Sequence, residues 1–243
     1  MLTKSRAIVL RSFKYGEQQM IVQLFTEEAG KLSFITRISK SRNTRIKVQL
    51  FQPMTLIYVV FDYRSTANLQ RMKEAGVSRA FETVGIDPYK TSIVLFLSEF
   101  LCHATRDVQK DKMLFAYVAN SILWLDHCRG SFANFHLVFM IHLTRFLGFY
   151  PNLYAEDGDN NDYFDMRNGC FCREVPVHPY YLSPAEAAKM RLLMRMDYAT
   201  MHLFSMSRQE RNRCLDVIIE FYRLHLPDFP ELKSLAVLRE LFS

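Results

Sequence analysis

The sequence predicts an α+β chain in which a small basic β-barrel precedes a mainly α-helical body, and three observations carry that reading. Short β-type runs broken by turn residues occupy the stretch from Ser5 to about Tyr63. Beyond Pro88 the pattern changes to apolar segments of helix length. Charge divides along the same line: residues 1–50 hold ten Lys or Arg against three acids, a net +7, so with +6 overall the other 193 residues sum to −1. A length of 243 residues leaves room for two modest domains, set here at 1–85 and 86–243, the second with an irregular region at 152–183.

The first strands read AIVLRSF, MIVQLFT and LSFITRIS, with MTLIYVVFDY following. In MIVQLF alternation is mixed with a continuous apolar run, the pattern of strands bent round a small barrel. Gly16 and Gly30 fall at the hairpin corners, where positive φ is needed. ANLQRMKEAG reads as a last strand and VSRAFETVG as a short helix ahead of the Pro88 boundary.

Between the third strand and Gln52 lies SKSRNTRIKVQL, in which Lys40, Arg42, Arg45 and Lys47 stand without an acid. An isolated run of this kind is ordinarily solvated surface. Here the flanking strands add Arg6, Arg11, Lys14 and Arg37, and Phe13, Tyr15 and Phe34 are interleaved with them. Clustered cations with aromatic neighbours suit a polyanion whose bases stack, because phosphate neutralisation needs local charge density. The candidate nucleic-acid set is Arg11, Lys14, Arg37, Lys40, Arg42, Arg45 and Lys47; Phe34, inside an alternating strand, is expected in the core.

Helical patterns follow at about 90–106, 111–128 and 133–148. In the second, Met113, Ala116, Tyr117, Asn120, Leu123, Trp124 and His127 recur at three and four and are read as the core-facing stripe. Gly148 and Pro151 stop the third. Residues 152–183 are acidic, aromatic and turn-rich; Ser183-Pro184-Ala185-Glu186 then forms a helix start. Helices are expected on to about Met196, over 207–226 and over 231–241.

Several functions are disfavoured by the same residues. No apolar run approaches the roughly 20 residues that span a bilayer, so no membrane partner is expected. The opening MLTKSRAIVLRSF has too short an apolar run for a signal peptide. Five scattered cysteines make no disulfide framework, and a reducing cytoplasm fits them. Signatures of phosphate-binding loops, dinucleotide sites, serine hydrolases and zinc peptidases are missing, so no catalytic residue is assigned. A metal-dependent nuclease built on the acidic loop 156–165 is kept as an alternative, against a solvated, turn-forming loop. Cys170, Cys172 and His178 supply zinc-type ligands, but a CxC and one distant His make at most three, and no metal is expected. His136 and His142 are read as core or edge histidines, and Met194, Met196, Met201 and Met206 as core filling.

AIVLRSFKYGEQQMIVQLFTEEAGKLSFITRISKSR resembles the start of the bacterial RecO recombination-mediator family, with strand, YGE turn, apolar strand, TE..G turn and basic stretch in that order. LTRFLGFYPNL is similar to that family's helix-to-Gly-to-Pro segment, and FYRLHLPDFPELKSLAVLREL to its C-terminal helix with a Lys-Ser pair, here Lys233 and Ser234. The resemblance spans nearly the whole chain. One departure stands out: where many members carry two zinc-binding Cys pairs, the first is replaced by Tyr154-Ala155-Glu156-Asp157 and the second is reduced to Cys170 and Cys172. The insertion is thus a degenerate zinc-finger-like loop without cofactor, its shape kept by Tyr163, Phe164, Tyr180 and Tyr181.

The resemblance implies an N-terminal OB-fold, a helical C-terminal domain, binding of single- and double-stranded DNA, strand annealing, and a cytoplasmic, nucleoid-associated setting. It also implies partnership with RecR, contact with the C-terminal tail of single-stranded-DNA-binding protein, and help in loading RecA. For that acidic tail an apolar groove edged by a cation is sought at Phe139, Arg145, Phe146 and Phe149. An RNA-binding OB module is the other alternative that the charge pattern leaves open.

Overall fold

The computed structural model describes residues 2–37, 47–106, 108–152 and 162–240. They form two compact units, Met1–His127 with Leu232–Leu241 and Cys128–Glu231.

The first unit is built on five strands: β1 (Leu2–Tyr15), β2 (Gln19–Thr26), β3 (Gly30–Arg37), β4 (Leu56–Asp62) and β5 (Gln70–Arg79). They close in the order β1-β2-β3-β5-β4, with β4 returning to β1 and β3 parallel to β5, which is the OB-like barrel expected. Its interior is filled by Ala7, Val9, Met20, Val22, Leu24, Phe34, Ile57, Val59 and Phe61, all 5% exposed or less. A 3-10 turn, Val48–Phe51, seals one mouth: Phe51 enters the core and its carbonyl accepts from Ser12 Oγ at 2.9 Å. Gly16 and Gly30 hold the hairpin corners at φ 67° and 68°.

Helices α1 (Pro88–Ala104), α2 (Lys112–His127) and α6 (Leu235–Glu240) belong to the same unit. Asp87 caps α1 through the amides of Tyr89 and Lys90, with Pro88 in the first turn. α6 is shorter than the helix expected over 231–241, and its start is held from α1: the Glu99 carboxylate accepts from the Lys233 and Ser234 amides at 3.0 and 2.8 Å and from Ser234 Oγ.

Two expectations are corrected. α2 buries Leu114, Phe115, Val118, Ile122 and Leu125, whereas Met113 is 72% exposed and Asn120 and His127 are exposed. Both stripes recur at three and four; the one that faces inward carries the larger apolar area per turn. VSRAFETVG is not a helix. Its first residues finish β5, and the fully buried Asp126 of α2 then gathers the amides of Glu82, Thr83 and Val84 at 2.8–3.1 Å, holding an open turn round a carboxylate. Beside it the buried Lys90 gives its ammonium to Thr83 Oγ1 and the Asp126 carbonyl, at 2.8 and 3.1 Å.

In the second unit, α3 (Phe135–Leu147) is buried on nearly all sides and ends on Gly148 at φ 84°. α4 (Pro184–Arg195) and α5 (Arg208–His225) follow, α5 opening with a Ser207–Glu210 capping box. Residues 163–182 hold a small sheet, β7-β6-β8, made of β6 (Tyr163–Asp165), β7 (Cys170–Cys172) and β8 (Tyr181–Leu182). Phe164 is its buried anchor, 4.9 Å from Phe171 and 5.9 Å from Phe221, while Tyr163 meets Tyr181 edge-on at 5.8 Å. Met194, Met196 and Met201 are core residues, as is His136.

Candidate nucleic-acid interface

The cationic surface of the barrel depends on one irregularity. Ala7 and Val9 of β1 point inward, so strict alternation would send Arg11, Phe13 and Tyr15 into the barrel as well. Pairing with β2 instead shifts register between Val9 and Arg11: Val9 faces Leu24 and Arg11 faces Gln23, leaving Leu10 as the extra residue. A bulge of this kind reverses the faces of everything after it. Arg11, Phe13 and Tyr15 therefore point outward, opposite Gln23, Ile21 and Gln19, and the row Tyr15-Gln19-Arg37 crosses all three strands.

That outer face combines exposed cations with exposed rings. Phe13 is 41% and Tyr15 56% exposed, and the Arg11 guanidinium lies 5.6 Å from the Phe13 ring centre. Phe34 is fully buried, as expected. Lys14 falls on the opposite face, paired with Met20, whose own partner is Thr36, at the mouth that the Val48–Phe51 turn seals; Lys47 immediately precedes that turn. The described members of the candidate set thus divide into an outer pair, Arg11 and Arg37, and a mouth pair, Lys14 and Lys47. All four are exposed, and among the described residues none of them makes an ion pair. Lys40, Arg42 and Arg45 lie outside the described residues, in the segment that joins Arg37 to Lys47.

Some other cations of this unit are paired with carboxylates. Arg6, which the sequence grouped with the basic surface, is held bidentately by Glu27 at 2.6 and 2.8 Å. Lys110 and Lys112 share Glu28, at 2.6 and 2.8 Å, and hold its carboxyl down to about 2. Sequence reasoning missed a basic neighbour of Arg11 at the end of α1. The His103 imidazole is lowered by burial first and then by Lys31, Arg11 and Arg106, against the pull of Glu99, so this end of the helix gathers cations. Its signal was the HATR run after an apolar helix, basic residues being common in a last turn.

The remaining candidates sit in the second unit. Phe139 is fully buried against Phe135, 6.2 Å between ring centres, and lines no surface. Phe149 stacks on His225 at 5.0 Å and meets Tyr222 edge-on at 5.1 Å. Arg145 is exposed, bonded to the Tyr150 hydroxyl at 2.8 Å and stacked on that ring at 4.3 Å; Phe146 is half-buried beside it. Of the acidic loop, Asp162 is buried and paired with Arg191 at 3.1 Å, and Asp165 accepts from the Arg167 and Asn168 amides at 2.9 and 3.0 Å. Glu156, Asp157 and Asp159 lie outside the described residues.

Zinc fits these residues poorly. Cys170 and Cys172 share one face of β7 and together offer only two sulfurs; burial, then Asp165 for the first and Cys170 with Asp165 for the second, push both thiols up. His178 is turned to Asp165, 3.3 Å away, and among the described residues no three His, Cys, Asp or Glu converge on a metal-sized centre. No helix described is long and apolar enough to cross a membrane.

Two family models match the chain, Recombination protein O N terminal over residues 1–81 and Recombination protein O C terminal over residues 86–236. The DNA repair protein RecO of Phocaeicola vulgatus is 51% identical over 243 residues, all of both chains. That of Bacteroides fragilis is also 51% identical over 243 residues, and that of Flavobacterium psychrophilum 31% over 245, again with full coverage of both chains. With the OB-like barrel, the helical remainder and these matches in agreement, the chain belongs to the RecO family of DNA repair proteins.

Proposed function

We propose that this chain is a non-enzymatic recombination mediator whose barrel holds single- and double-stranded DNA through phosphates, without reading sequence. The observation that carries the reading is the outer face of β1–β3, where Arg11 and Arg37 stand unpaired among the described residues beside the exposed rings of Phe13 and Tyr15. Point charges that hold backbone, together with rings that stack any base, bind strands irrespective of sequence. The basic segment 38–46 and the mouth pair Lys14 and Lys47 extend the contact. Charges on long side chains shield the repulsion between two strands and let the duplex leave, as annealing requires. The proposal extends to work with RecR and to loading of RecA onto DNA coated by single-stranded-DNA-binding protein. The C-terminal tail of that protein is taken near Arg145 and Phe146, Phe139 being inaccessible. A cytoplasmic, nucleoid-associated location follows from this role.

The test is fluorescence anisotropy of labelled single-stranded DNA over a salt series. Changing Arg11, Lys14, Arg37 and Lys47 to Ala together should reduce the log–log salt slope by about 0.7 per lost contact, roughly 2.8 for all four. Phe13→Ala with Tyr15→Ala should weaken binding with little change in slope, by roughly 1–3 kcal/mol per stacked base. A charge variant that melts and binds like wild type would remove the barrel face as the platform. Competition by RNA of the same sequence tests the RNA-binding reading, and intact DNA after incubation with magnesium or manganese disposes of the nuclease, whose described carboxylates Asp162 and Asp165 are already committed. We also infer that no zinc resides at Cys170 and Cys172. Elemental analysis of the purified protein should find well under one zinc per chain, and a Cys170→Ser, Cys172→Ser variant should melt as wild type does; one zinc per chain, lost in that variant, would refute this.

A further inference from the structure

A second cationic feature lies in the first unit, at the opposite end of β1 from Tyr15. There an open cleft of about 940 Å³ is lined by Lys4, Lys31, Lys110, Glu28, Tyr63 and neighbouring residues. Three lysines face one carboxylate, and that carboxylate also serves Lys112. Lys4 is exposed, 5.7 Å from the Tyr58 ring centre, and Tyr63 is 38% exposed.

The cleft is linked to the outer face by a chain of paired groups. Arg11 faces Gln23 across β1 and β2, and Gln23 Oε1 accepts from Cys102 Sγ at 3.0 Å. The Cys102 carbonyl accepts from Lys31 Nζ, and Lys31 is itself a wall of the cleft. His103, the next residue of α1, is influenced by Lys31, Arg11 and Arg106, with Glu99 opposing them, so cations of both features lie near this end of the helix.

We propose that the cleft is the far end of one strand path, in which the phosphate backbone of a single strand leaves the Tyr15–Arg37 row, passes Arg11 and Arg106 and ends between Lys4 and Lys110. This rests on the proposed function above. An open cleft near the upper size of compact ligand sites, walled by point charges, suits a chain running through it better than a small enclosed molecule. From Tyr15 to Lys4 along β1, at about 3.3 Å per residue, the path is on the order of 36 Å, longer than the phosphates of a very short oligonucleotide span.

Length therefore separates the two features. Oligo-thymidines of about six and about twenty nucleotides bracket the span, sites on such barrels running to roughly 4–16 nucleotides. With Lys4→Ala and Lys110→Ala together, the long strand should bind more weakly, its salt slope reduced by about 1.4, roughly 0.7 for each contact, while the short strand binds as before. Lys4→Arg with Lys110→Arg should restore the slope, and matching melting curves establish that the fold is unchanged. Wild-type binding of the long strand by the Ala variant would overturn the path, as would an equal loss for both lengths or occupation of the cleft by a mononucleotide at micromolar concentration. Failure of the outer face would show separately, as short-strand binding untouched by the variant with Arg11, Lys14, Arg37 and Lys47 all changed to Ala.

Discussion

Asp126→Ala is expected to destabilise the first unit by about 3–5 kcal/mol, because it strips several charge-assisted hydrogen bonds and strands buried amides. The carboxylate is fully buried and accepts from three successive backbone amides and the Thr83 hydroxyl. Without it the buried Val84 amide loses its acceptor, and the Glu82 and Thr83 amides lose theirs. For a chain of this size the melting temperature should fall by roughly 10 °C. Burial by itself would raise the Asp126 pKa, but the amides of Glu82, Thr83 and Val84 outweigh it and hold the group below its ordinary value. A group lowered in the folded state stabilises above its unfolded pKa and loses that contribution as pH falls through the folded value. The gap between wild type and variant should therefore be full at neutral pH and close only in strong acid. A melting temperature within about 2 °C of wild type, against the roughly 10 °C expected, would show that the turn finds other acceptors.

Gly30→Ala is the second large effect, about 2–4 kcal/mol, and Gly16→Ala is its control. Both glycines have positive φ, 67° at Gly16 and 68° at Gly30, so each substitution carries the cost of the left-handed region, about 1–2 kcal/mol. They differ in surroundings. A Cβ at Gly16 meets nothing within 4 Å, whereas at Gly30 it would lie 2.8 Å from the Gln109 carbonyl carbon and 2.9 Å from two carbonyl oxygens. Those atoms are backbone and cannot swing aside. Chemical denaturation of both variants measures the difference, and equal losses would mean that the Val108–Gln109 segment yields freely. Gly76 makes a useful contrast: the nearest atoms its Cβ would meet, at 2.5 Å, are those of the Tyr58 side chain, which is half-exposed and can rotate away.

The barrel was legible in the sequence because its strands are short, alternate in part and turn at glycines that need positive φ. α3, α4 and α5 were legible because their stops and caps, Gly148, Pro184 and Ser207, are local signals. The Leu10 bulge was harder to see. Its trace is the unbroken run Ile8-Val9-Leu10, which reads equally well as a strand buried on both sides. Without that shift the composition of the interface is right, yet half of it points into the barrel. The Arg6–Glu27 pair joins residues 21 apart and the Asp126 turn residues more than 40 apart, contacts that periodicity does not encode. Phe139 was misplaced for the converse reason: a helix apolar all round has no exposed stripe from which a groove could be read.

The contact between Glu99 and Ser234 joins residues 135 apart, across the whole of the second unit. During synthesis at about 5–20 residues per second, the acceptor on α1 is made roughly 7–27 seconds before its donors. Closing so long a loop costs little more than closing a shorter one, since the entropy grows only with the logarithm of length. The delay is thus kinetic. Through that interval the side of α1 that receives α6 is bare, and a chain released early lacks the helix that buries Leu238 in the finished protein.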